Sequence, residues 1–75
     1  NYYIEISCTF QYPIKLTLKL GEVINGIGFD TARNDNKDES IKVKINGIDN
    51  LIAVDDISLI EACVENPHFK VVSFT

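Results

Sequence analysis

Three features of the sequence predict an all-β fold, a small barrel of five to six strands with room for one short helix over 56–65. Apolar residues recur at every second position along most of the chain. A Gly-X pair and an Asn-Gly pair stand between such runs, where tight hairpins need them. The chain has 75 residues, enough for a single domain (1–75) and too few for a two-sheet sandwich.

The first predicted strand covers 2–10. Ile4, Ile6, Cys8 and Phe10 share one face, and Glu5, Ser7 and Thr9 take the other. Tyr12-Pro13 interrupts the pattern, because proline cannot donate to a central ladder. Alternation resumes with Ile14, Leu16, Leu18 and Leu20 inward and Lys15, Thr17 and Lys19 outward. Gly21-Glu22 fits a type II′ turn. Residues 23–30 read as a long strand that its two glycines, Gly26 and Gly28, allow to bend or bulge. The polar run Arg33–Glu39 is an exposed loop. Ile41, Val43 and Ile45 alternate with Lys42 and Lys44, and Asn46-Gly47 then turns the chain into the return arm 50–54. Over 55–66, Ile57, Ile60, Cys63 and Val64 fit a helical stripe, with Ser58 and Glu61 spaced as a capping box. The same residues fit a strand after Asp55-Asp56, which is the preferred reading. Asn66-Pro67 turns into a last strand, 69–74. Ile-Asn-Gly-Ile occurs twice, at 24–27 and 45–48, with flanks too different for a repeat.

Composition narrows the function. A domain this short buries only about 60% of its unfolded surface, so its core is thin. No apolar run is long enough for a membrane-spanning helix, and no basic start with an apolar stretch marks a signal peptide; a cytoplasmic protein without membrane contact is expected, although the chain starts at Asn1 rather than Met. Seven basic and eleven acidic residues give a net charge of −4, which opposes nonspecific nucleic-acid binding and suits a basic partner surface. Cys8 and Cys63 both lie in apolar stretches; a disulfide between them and two reduced thiols both stay open.

The parts for catalysis are scarce. His68 is the only histidine, and neither cysteine is flanked by a glycine-rich elbow that would pair it with His68 as a nucleophile. One histidine and two cysteines fall short of a structural zinc site. The loop 34–39 carries oxygens at alternate positions, but Glu39 stands where a calcium loop needs glycine and Ile45 where it needs a bidentate glutamate. Gly26-x-Gly28 precedes no helix and so makes no phosphate cradle. No enzyme, cofactor or metal is expected.

Two surface groups remain. Lys15, Lys19, Lys42 and Lys44 point outward from predicted strands and would line a basic stripe, with Tyr2, Tyr3 or Tyr12 available to stack on RNA bases. Lysines also protect exposed strands from edge-to-edge pairing, and that plainer role carries more weight. Asp30, Asp35, Asp38, Glu39, Asp49, Asp55 and Asp56 lie nearly all in loops or turns. Such acids are usually just solvated; gathered at one end of a barrel they form a negative rim, and Asp30, Arg33, Asp35, Asp38 and Glu39 are the partner-binding candidates.

The segment Leu18–Asp30, with its strand, Gly21 turn, glycines in the bent second strand and late Asp30, resembles the first half of the Sm-like pattern of small SH3-like barrels. Residues 45–57 follow the second half loosely. Within that group the chain resembles the Rof family of Rho-binding antiterminators, and more distantly the YolD-like family. The carriers are Ile6-x-Cys8, Leu16-Thr17-Leu18 leading to Gly21-Glu22, Asp56-Ile57, and Pro67 ahead of Val71-Val72. The resemblance implies a small barrel and a docking role on Rho. Rof proteins carry acidic residues and a helix just after the Cys that help grip Rho; here Thr9-Phe10-Gln11 follows Cys8 and Pro13 leaves no room for that helix.

The expected function is therefore a non-catalytic regulatory module that docks on a larger protein through its loop rim and blocks a nucleic-acid-binding surface there, as small phage-type inhibitors do. The alternatives are an Sm-like RNA-binding oligomer assembled through edge strands, and a structural domain of a larger assembly.

Overall fold

The first departure from expectation comes at the start of the chain. The computed structural model, which describes residues 1–75, begins with an α-helix, α1 (Tyr2–Thr9), where the alternation predicts a strand. Ile4 and Cys8 fit period 2 and period 3.6 equally well, and the helical period wins by burying Ile4, Ser7 and Cys8 together. The Asn1 side chain caps the helix, accepting from the amides of Tyr3 (3.0 Å) and Ile4 (3.4 Å). The hydroxyl of buried Ser7 donates to the Tyr3 carbonyl at 2.8 Å. A Schellman motif ends the helix: the Gln11 amide donates to the Cys8 carbonyl and the Tyr12 amide to the Ser7 carbonyl, with Gln11 at φ 50°. Phe10, expected inward, is consequently left half exposed beyond the last turn.

Six antiparallel strands follow: β1 (Pro13–Leu18), β2 (Val23–Arg33), β3 (Glu39–Ile45), β4 (Ile48–Ala53), β5 (Ile57–Ala62) and β6 (Val71–Ser73). They form one sheet in the order β4-β3-β2-β1-β5-β6. No ladder joins β4 to β6, so the sheet is bent and open rather than a closed barrel. The end strand β6 has only three residues, too few to complete a ring of hydrogen bonds.

Leu20 is a second correction, fully exposed instead of inward. β1 stops at Leu18, and the turn is the three-residue loop Lys19-Leu20-Gly21. The Gly21 amide donates to the Leu18 carbonyl (2.9 Å) and the Leu18 amide to the Glu22 carbonyl (2.8 Å). Gly21, at φ 98°, is the last loop residue and not the first of a two-residue turn. The Asn46-Gly47 hairpin forms as expected, both residues at positive φ (51° and 80°).

The bent β2 is also as expected. Phe29 is an extra residue between the pairs Gly28–Val43 and Asp30–Lys42, which makes a bulge. β5 carries a second bulge, with Ser58 inserted between the pairs Thr17–Leu59 and Leu18–Ile57. That insertion turns Ile57 and Ile60, three residues apart, to the same side. The helical spacing in the sequence is the imprint of a bulged strand, and the only helical turn nearby is a 3-10 turn at Val54–Asp56. The core is Ile14 and Leu16 from β1, Ile41 and Val43 from β3, Ile52, Ile57 and Ile60, and from the helix Ile4 and Cys8.

Candidate functional site

The helix brings the charged groups into relation. Among the strands, α1 packs chiefly on β2. The Cys8 thiol donates to the Asp30 carbonyl at 3.3 Å, tying the helix to β2 just beyond the Phe29 bulge. Burial, with the Asp30 charge second, pushes this thiol up from 9.0 to about 11. Glu5, exposed on α1, and Asp30 line one shallow cleft of about 220 Å³ with Cys8, Thr9, Phe29 and Thr31. At the other end of the helix the Glu39 carboxylate lies 2.8 Å from the Asn1 nitrogen. Asp30 and Glu39 therefore flank the two ends of α1, and Glu5 lies on its exposed side.

The β2–β3 loop and the strand ends beside it carry Asp35, Asp38 and Glu39 interleaved with Arg33 and Lys37. The Asn34 side chain accepts from the amides of Asn36 (2.9 Å) and Asp38 (3.0 Å), and the Lys37 amide donates to the Asn34 carbonyl (2.8 Å). Arg33 turns onto its own loop, its guanidinium donating to the Lys37 carbonyl at 2.9 Å. Asp35 and Asp38 remain exposed and take part in no ion pair.

The four lysines meet a different environment. Lys15 Nζ stands 4.0 Å from Glu61, and Lys44 Nζ 3.5 Å from Asp49 and 5.4 Å from the centre of the Phe29 ring. Lys42 lies between Asp30 and Leu51 in the ladder. Lys19, in the first hairpin loop, shares a cleft with Glu39 and Asp55. The outer face thus alternates in sign.

Cys8 and Cys63 are free thiols, one buried and one exposed. His68 stacks on Phe10 (ring centres 5.3 Å apart), and no group of three or more His, Cys, Asp or Glu side chains is gathered to hold a metal ion. Glu5 lies outside the candidates that the sequence names, because alternation sets it on the outer face of a strand; the signal that places it on a helix is Asn1 as a cap before the Ile4, Ser7, Cys8 spacing.

No curated protein sequence matches the chain. A solved structure described as YaeO bound to magnesium, from Vibrio cholerae O395, is 44% identical, superposes with a TM-score of 0.92, and matches over 97% of this chain and 95% of that one. The family model described as modulator of Rho-dependent transcription termination (ROF) matches residues 2–74. Nearly the whole domain, helix and six strands together, thus belongs to the ROF family of modulators of Rho-dependent termination.

Proposed function

We propose that this chain is a non-catalytic inhibitor that docks on Rho through the acidic surface around α1 and excludes RNA from the surface it covers. The observation that carries the reading is the placement of Glu5 and Asp30 on one cleft beside the helix. A termination factor engages RNA, and a surface that engages RNA is rich in Lys and Arg. A carboxylate-bearing helix offers that surface a substitute for phosphates. Lys15 and Lys44 each stand beside a carboxylate, which favours a protein partner over direct RNA binding by this chain. The helix-first, strongly bent sheet supports placing it with the Sm-like group, and action on Rho would put it in the cytoplasm.

The test is competition. Labelled pyrimidine-rich RNA bound to Rho is titrated with the chain and with a Glu5→Gln/Asp30→Asn variant, and anisotropy is followed. The wild type should displace the RNA, and the variant should need about a hundred times more protein, the cost of losing two charge pairs worth about 2.7 kcal/mol together. Equal displacement by both would remove the acidic surface from the mechanism, and RNA retained at saturating chain would remove the inhibition. Binding of the same RNA by the chain alone at low salt would favour the nucleic-acid reading instead.

A further inference from the structure

The segment 63–70, between β5 and β6, has no regular secondary structure, yet its conformation is closely specified. The Asn66 amide group makes four hydrogen bonds inside it. Nδ2 donates to the carbonyls of Val64 and Phe69 (both 3.0 Å), and Oδ1 accepts from the amides of His68 (2.8 Å) and Phe69 (3.1 Å). Both donors of that side chain are used. The loop so held projects two rings towards the helix.

Phe69 meets Tyr3 of α1 edge to face, with ring centres 5.5 Å apart, and tilts against Tyr12 at 6.4 Å. His68 stacks on Phe10 at 5.3 Å, and Phe10 stacks in turn on Tyr12 at 5.6 Å. The contacts reach the first turn of the helix and the residue just beyond its last turn. Phe10 is 54% exposed, so its ring adds little to the core; its evident role is to lie between His68 and Tyr12. At eight residues α1 is too short to be stable by itself and takes its place from what packs on it.

We infer that the 63–70 loop is a clamp that sets the position of α1, and that Asn66, Phe69 and Phe10 are positioning residues that hold Glu5 in register with Asp30 for docking on Rho. This rests on the docking role proposed above, and two readouts separate the two ideas. The first is amide exchange in the free protein. Phe69→Leu should raise exchange at Phe10, whose amide closes the last helical bond onto Ile6, by about tenfold, consistent with losing one or two aromatic contacts. Leu16 and Val43 in the sheet should keep their protection. Asn66→Ala should act in the same direction, and Phe69→Tyr should retain the native rate. Unchanged helix exchange in both disruptive variants, or equal loosening of helix and sheet, overturns the clamp whatever happens with Rho.

The second readout is a double-mutant cycle on Rho affinity. In the wild-type background Glu5→Gln should weaken binding about tenfold; in the Phe69→Leu background the same change should cost less than about threefold, because Glu5 is no longer held in place. Costs that multiply independently overturn the positioning role. A Glu5→Gln change with no effect in the wild type removes the docking reading and the positioning role with it, while the exchange result still decides whether the clamp exists.

Discussion

At the scale of single residues, Cys8 and Gly26 carry the most specific chemistry. Cys8 is buried, donates to Asp30, and has its thiol raised to about 11. Its folded form therefore prefers the neutral thiol. The stability this contributes is present below the ordinary thiol range and lost as pH rises from about 9 through about 11. Two outcomes are expected. A disulfide reagent at pH 8 should label one thiol, Cys63, in the native protein and both after unfolding. Between pH 9 and 11 the melting temperature should fall more steeply for the wild type than for Cys8→Ala. Gly26 serves close approach: a Cβ there would stand 2.6 Å from the Lys44 carbonyl oxygen and 2.6 Å from Val43 Cγ1. Because a backbone atom would have to yield, Gly26→Ala should destabilise by about 1–3 kcal/mol, read from the urea midpoint.

At the scale of elements, the bulge at Ser58 yields a prediction that runs against intuition about deletions. Removing Ser58 leaves Leu59 opposite Thr17 and Ile57 opposite Leu18, with the same residues inward. The deletion variant should fold, at a cost of about 1–2 kcal/mol for the bond from the Ser58 hydroxyl to the Thr17 carbonyl and for the lost acceptor of the Phe74 amide. Deleting Lys42 from β3, whose ladder with β4 is regular, should instead abolish the cooperative transition, since Ile41 and Val43 can no longer both face the core. The same elements show what alternation reveals. β1, β3, the Asn46-Gly47 hairpin and the bend in β2 were legible, because period 2 and turn chemistry agree there. The helix was not: Tyr, Ile, Thr and Phe favour strands, Ile4 and Cys8 satisfy both periods, and the stop signal is Gln11 where glycine would have announced it. Without α1, Glu5 reads as an outward strand residue, whereas Asp30, near the end of the second strand, and Glu39, in the polar loop 33–39, are candidates from the sequence alone. The repeated Ile-Asn-Gly-Ile makes the limit plain: its first copy is extended in β2 and its second is a turn, decided by neighbours the tetrapeptide does not contain.

At the scale of the whole molecule, the net charge of −4 matters less than its distribution. The outer face carries lysines matched by Glu61 and Asp49, while Glu5, Asp30, Asp35 and Asp38 form no ion pair and Glu39 meets the Asn1 nitrogen. On the docking proposed above, affinity for Rho should fall as salt is raised from 50 to 300 mM, because exposed charges are screened over about 10 Å at 0.1 M. The slope should be shallower for Glu5→Gln/Asp30→Asn and unchanged for Lys15→Gln. A salt-independent affinity would assign the energy to apolar contact instead.

The open sheet ends unequally, and that has a practical consequence. β4 leaves a six-residue border of main chain without a neighbour, with Ile48 and Leu51 in water, whereas β6 leaves three. At millimolar concentration, self-association should grow from the β4 border, which offers the longer template for an incoming strand. Ile48→Lys, at a residue 67% exposed, should keep the purified protein dispersed in light scattering while leaving its melting temperature unchanged.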